Sequence, residues 1–88
     1  MKIIKYNLDI VGEQSIDTHT GFIILTTQLQ YNKIVLWAMV DELSEPVERK
    51  FAMYETGDEV NSVDVYVGSV QTHDPKTVQH IFEIFDES

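Results

Sequence analysis

Ile34-Val35-Leu36-Trp37-Ala38-Met39-Val40 is the longest apolar run in the chain. It presents apolar side chains to both faces of an extended backbone, the pattern of a central strand covered from two sides rather than an edge strand with one wet face. The rest of the fold is read outward from it. Just upstream, Phe22 to Tyr31 alternates, with Ile23, Leu25, Leu29 and Tyr31 on one face and Thr26, Gln28 and Gln30 on the other. Asn32-Lys33 then serves as the hairpin turn, since asparagine tolerates a positive φ. Further upstream, Ile4, Tyr6, Leu8 and Ile10 alternate with Lys5, Asn7 and Asp9 as a half-buried strand, and Gly12 to Gly21 reads as a loop.

Downstream, Asp41 to Pro46 reads as a polar acidic loop broken at the proline. Val47 to Tyr54 is extended again, with Val47, Arg49, Phe51 and Met53 on one face and Glu48, Lys50, Ala52 and Tyr54 on the other. Glu55 to Ser62 contains Thr56-Gly57-Asp58 and reads as a turn and loop. Val63, Val65 and Val67 then open a strand towards Gln71, in which Gly68 marks a bulge or a close backbone approach. The C-terminal segment supports two readings. Val78, Ile81, Phe82 and Phe85 have helical spacing behind Asp74-Pro75, which suits an N-cap and first helical position. The strand reading is preferred, because Ile81, Phe82, Ile84 and Phe85 are β-formers and Asp86-Glu87 would oppose a helix dipole at its C-terminus. The sum is a mainly β domain spanning residues 1–88, a small antiparallel sandwich or partly open barrel of five to six short strands. An open edge strand in such a fold leaves a homodimer as an expectation.

Composition narrows the function. Fifteen acidic residues stand against one arginine and five lysines among 88 residues, for a net charge of -9. A protein that binds phosphate backbones needs the opposite sign, so direct nucleic-acid binding is not expected. The chain has no cysteine, which excludes disulfides, thiolate metal sites and a cysteine nucleophile. Lys2 to Asn7 alternates where a signal peptide would be continuously apolar, and no apolar run approaches the roughly 20 residues of a membrane span, so a cytoplasmic protein is expected.

Catalytic patterns are missing. His19, His73 and His80 have no metal-motif spacing, the serines form no Gly-x-Ser-x-Gly elbow, and the four glycines are scattered singly rather than gathered in a phosphate loop. A non-enzymatic role without cofactor or metal follows as the expectation. The charge distribution is more specific. Eight acids, Asp41, Glu42, Glu45, Glu48, Glu55, Asp58, Glu59 and Asp64, fall within residues 41–64, offset there only by Arg49 and Lys50. Loops at one end of a β domain would gather them into a negative patch suited to a basic partner surface. Trp37 is expected in the core, whereas Tyr54 and Tyr66, flanking Glu55 to Asp64, are expected on a binding rim. The candidate partner-binding residues are therefore Glu42, Glu45, Tyr54, Glu55, Asp58, Glu59 and Tyr66.

Short blocks along most of the chain carry a resemblance. They include Lys5-Tyr6-Asn7-Leu8, Ile24-Leu25-Thr26-Thr27-Gln28-Leu29-Gln30, Leu36-Trp37-Ala38-Met39-Val40-Asp41, Glu48-Arg49-Lys50-Phe51, Tyr54-Glu55-Thr56-Gly57, Tyr66-Val67-Gly68-Ser69-Val70-Gln71 and His80-Ile81-Phe82-Glu83. Through them the chain resembles a family of small uncharacterised phage and prophage proteins. The resemblance brings no catalytic residue with it. It implies a phage-encoded binding protein, active in the host cytoplasm, that blocks a host or antiphage-defence protein. Two other readings stay open: an oligomeric sponge that sequesters a nucleotide immune signal, and a structural or accessory phage component.

Overall fold

The computed structural model describes residues 1–10, 12–60, 64–73 and 76–85. It contains five strands, β1 (Lys2–Leu8), β2 (Glu13–Gln30), β3 (Lys33–Glu55), β4 (Val65–Gln71) and β5 (Val78–Ile84). All neighbours run antiparallel in one sheet that curls into a half-barrel, and no helix occurs among the described residues. The strand reading of the C-terminal segment therefore holds over Val78–Ile84. The proposed cap at Asp74-Pro75, the strand start at Val63 and the terminal Asp86-Glu87 lie outside the described residues.

The apolar run 34–40 is central between β1 and β2, but it is not covered from two sides: its even residues enter the core, and Trp37 and Met39 are half-buried on the opposite face of the single sheet. β2 follows one edge of β3 along most of its length. The other edge is shared end to end: β1 pairs from Leu8↔Ile34 to Lys2↔Val40, and β5 pairs from Lys50↔Ile84 to Glu55↔Gln79. Between them, residues 41–49 of that edge have no strand beside them among the described residues. Ile34, Val35, Leu36, Ala38 and Val40 are buried, and each large side chain so placed contributes roughly 1.5–3 kcal/mol relative to exposure.

The residues 41–46 expected as a loop are part of β3 instead, because they form the corner about which the sheet folds. Gly21 pairs with Asp41 and His19 with Pro46, so Glu42 to Glu45 stand opposite Thr20 alone. An odd excess of residues inverts the side-chain alternation. The core therefore takes even residues of β3 before the corner (Ile34, Leu36, Ala38, Val40) and odd ones after it (Phe51, Met53). Gly21 permits the corner: its N–H donates to Ser44 Oγ at 2.9 Å, and a Cβ there would lie 2.8 Å from Cβ of Asp41.

The stretch 12–21, expected as a loop, is also mostly strand. Its polar residues hide the fact that it pairs with Val47 to Ala52 and buries alternate positions. Ile16 packs against the core, and buried Thr18 shares a 2.9 Å hydrogen bond with the Tyr6 hydroxyl. Within β2 a second register shift at Leu25 overturns the face assigned to Ile23, Leu25, Leu29 and Tyr31. Phe22 and Ile24 face the core before the shift and Leu29 after it, while Ile23, Leu25 and Tyr31 are 50, 45 and 93% exposed. The hairpin turn lies one residue earlier than expected, at Tyr31-Asn32, both in the left-handed region with φ of 52° and 58°. Two successive positive φ values match the twist of the flanking strands. Ile10, assigned to the first strand, lies beyond the end of β1 and is exposed.

Gly68 does both things its position suggested. The β4–β5 register shifts between Tyr66 and Gly68, and Gly68 closes against Thr27 of β2 across the concave side. That contact helps fold the sheet over its core, which joins Leu8, Phe22, Phe51, Met53, Val70 and Ile81 to the inward residues of the central run. Trp37 is not in this core. It is half-buried on the convex face between Lys5 and Thr26, with the Lys5 ammonium 5.9 Å from its ring.

Candidate binding surface

Register decides which candidate residues meet. Ala52, Phe82 and Tyr66 are opposite one another on β3, β5 and β4, and so are Tyr54, His80 and Ser69. These six positions share the convex face, opposite the face that buries Phe51, Met53 and Ile81. Their aromatic rings form a row. Tyr54 packs edge-on to Phe82 at 5.5 Å and Tyr66 does so from the other side at 5.4 Å. At these spacings the rings fill the space between themselves, so they present a ridge rather than an open cage.

A hydrogen-bonded chain runs beside the ridge. The Tyr66 hydroxyl bonds Ser69 Oγ at 2.7 Å, Ser69 Oγ bonds His80 Nδ1 at 2.7 Å, and His80 Nε2 bonds Thr56 Oγ1 at 3.0 Å. Both imidazole nitrogens are thus occupied by hydroxyls. At the other end of the row, the Tyr54 hydroxyl donates to Asp64 Oδ2 at 3.0 Å. Asp64 Oδ1 is buried without a partner among the described residues.

The acidic candidates do not form one patch. Glu42 and Glu45 lie at the corner of β3, where exposed Glu42 pairs with Lys2 at 3.1 Å. Glu55 is the last residue of the same strand, and Asp58 and Glu59 follow it. Asp58 is committed to the turn at Gly57, its Oδ2 accepting the Glu55 N–H at 2.8 Å and its own N–H donating to the Glu55 carbonyl at 3.0 Å. Glu55 and Asp58 together line a hollow of about 210 Å³ on the other side of the sheet, with Ile10, Gly12, Met53 and Gln79. Tyr54 and Tyr66 are brought together across strands, through Phe82, whereas Glu55 and Asp58 meet locally in the turn. Glu59 is exposed after the turn.

Over residues 1–87 the sequence matches the family described as Domain of unknown function (DUF7352). The chain belongs to that family. No curated protein and no solved structure matches it. The DUF7352 span contains all five strands and every residue of the aromatic row. Within this DUF7352 chain, Phe82, His80, Ser69, Thr56 and Asp64 join the two tyrosines; none of the five is among the partner-binding residues expected from sequence, although Asp64 belongs to the acidic stretch 41–64. Alternation in β5 could have flagged His80 and Phe82 as one face, but pairing them with Tyr54 and Tyr66 needed the register.

Proposed function

We propose that this protein is a non-enzymatic binding protein that covers a basic surface of another protein. The Tyr54–Phe82–Tyr66 ridge is its contact, with Asp64 beside it, and the net negative charge of the chain draws the basic partner. The observation that carries this reading is a solvent-facing aromatic row, with Tyr66 56% exposed, on a chain of net charge -9. Exposed tyrosines offer large contact area at low entropic cost, and an arginine laid on such rings gains a cation–π attraction beside Asp64. In the context implied by the sequence resemblance, the partner is a host or antiphage-defence protein and the outcome is its inhibition. No helix among the described residues is long and apolar enough to cross a membrane.

The test is affinity capture from host lysate with wild-type and Tyr66→Ala baits at low and high salt. A basic protein held by wild type at low salt, released by salt and lost with Tyr66→Ala supports the reading. Retention by Tyr66→Ala together with loss on Glu42→Gln/Glu45→Gln would move the contact to the β3 corner and reject the ridge.

Self-association is a second reading, favoured by a different face. Ile3, Met39 and Ile23 are register neighbours on the convex side, with Ile3 and Ile23 64 and 50% exposed where one-sided antiparallel sheets are usually polar. Light scattering that gives a dimer mass for wild type and a monomer for Ile23→Lys would support it.

A further inference from the structure

A groove of about 390 Å³ opens where β5 ends against the free edge of β3, and no residue of the ridge lines it. Val47, Glu48, Arg49 and Lys50 line it from β3, Glu83 and Ile84 from the end of β5, Phe85 from just past that end, and Thr20 from β2. It holds the chain's single arginine. Arg49 Nε donates to Glu83 Oε2 at 2.5 Å, and the guanidinium lies 4.9 Å from the Phe22 ring centre. The Glu83 side chain is 7% exposed and that of Arg49 24%. The guanidinium is thus held from two directions, and its two terminal nitrogens have no partner among the described residues.

We propose that this groove binds a small organic anion, with a carboxylate or phosphate on the terminal nitrogens of Arg49 and an apolar body against Val47, Ile84 and Phe85. A planar guanidinium already fixed through Nε still offers N–H groups to an oxyanion, and losing little freedom on binding raises its effectiveness. Glu83 supplies the orientation at the cost of some positive charge, and Glu48 and Lys50 on the same lining are of opposite sign, so the pull on an anion comes from the directed N–H groups of Arg49. The volume suits a small molecule, since ligand pockets generally run from about 300 to 1,000 Å³. An added peptide strand fits less well. Past the end of β5, Pro46 has no N–H to offer the free edge, and Leu43 N–H is taken by Asp41 Oδ1 at 3.0 Å. The site is independent of the ridge, so either reading can fail alone.

Amide-detected NMR titration of the whole chain tests it, with 2-naphthoate, 2-naphthyl phosphate and uncharged 2-naphthamide as probes. The expected result is movement of the Thr20, Val47, Arg49 and Phe85 signals and of Arg49 Nε–H, with at least one anion binding about tenfold more tightly than the amide. Which anion responds tells carboxylate from phosphate. Arg49→Lys should abolish the preference for the anion. Should that variant not fold, Phe85→Ala, which leaves the ion pair intact, should weaken the anion about fivefold or more. Equal binding of amide and anion, signals moving at Tyr66 and Phe82 instead, or no movement at Arg49 up to about 5 mM of either anion would overturn the proposal.

Discussion

Gly68 of β4 and Thr27 of β2 meet across the concave side of the sheet so closely that a Cβ on Gly68 would lie 2.5 Å from Oγ1 of Thr27. These strands are not hydrogen-bonded neighbours, and their contact closes the curl of the sheet. Gly68→Ala should therefore cost about 1–3 kcal/mol through overpacking. Thr27→Ala removes the clashing hydroxyl and should recover most of that loss in the double mutant. Urea denaturation of the four proteins of this cycle measures the coupling. Additive losses would show that Gly68 is needed for the bulge alone.

Arg49 and Glu83 form an ion pair with little access to water, so removing one partner strands the other. Arg49→Met should destabilise the fold by about 3 kcal/mol, because Glu83 would keep a buried, uncompensated charge. Arg49→Met/Glu83→Leu should return close to wild-type stability. Thermal and chemical unfolding of the single and double variants check this, and a double variant as unstable as the single one would contradict it.

Pro46 sits inside a 23-residue strand, where a proline is normally excluded. Met53 N–H donates to the Gly12 carbonyl on the β2 side at 3.1 Å, and alternation from there turns Val47 towards β2 and Pro46 towards the free edge. The missing N–H therefore costs no ladder bond. Pro46→Ala should change stability by no more than about 0.5 kcal/mol, whereas Val47→Pro should cost about 3 kcal/mol or more. Equal effects at the two positions, read by chemical denaturation, would refute this orientation of the strand.

Tyr54 donates its hydroxyl to an aspartate whose other oxygen is buried without a partner among the described residues. Tyr54→Phe should cost about 1–2 kcal/mol, since it removes that bond from Asp64. Tyr66→Phe, at a more exposed hydroxyl, should cost less than about 0.5 kcal/mol. Equilibrium unfolding of the two variants gives both values. The difference bears on function, because Tyr66 can then be altered in binding assays with the fold intact.

Much of the strand content was legible in the residues. The run Ile34 to Val40 takes the central place between β1 and β2 with its even residues in the core, and Gly68 stands where a side chain has no room. The preference of Ile81, Phe82 and Ile84 for extended backbone likewise anticipated β5. Polar segments were misread for one physical reason. Gln14-Ser15-Ile16-Asp17-Thr18 is extended through its backbone bonds to β3, and main-chain pairing leaves little trace in side-chain hydropathy.

Side-chain alternation by itself determined that this is an antiparallel β protein, and residue types determined that it carries strong negative charge without cysteine. Only the tertiary structure decided which face each residue takes. Extra residues at Glu42–Glu45 and Leu25 invert the alternation, and nothing local announces them, because a bulge is a mismatch between two strands and belongs to neither alone. The same holds for the two surfaces. Tyr54, Tyr66 and Phe82 meet only through the β3–β5–β4 register, and Arg49 faces Glu83 only because the corner of β3 turned odd residues inward.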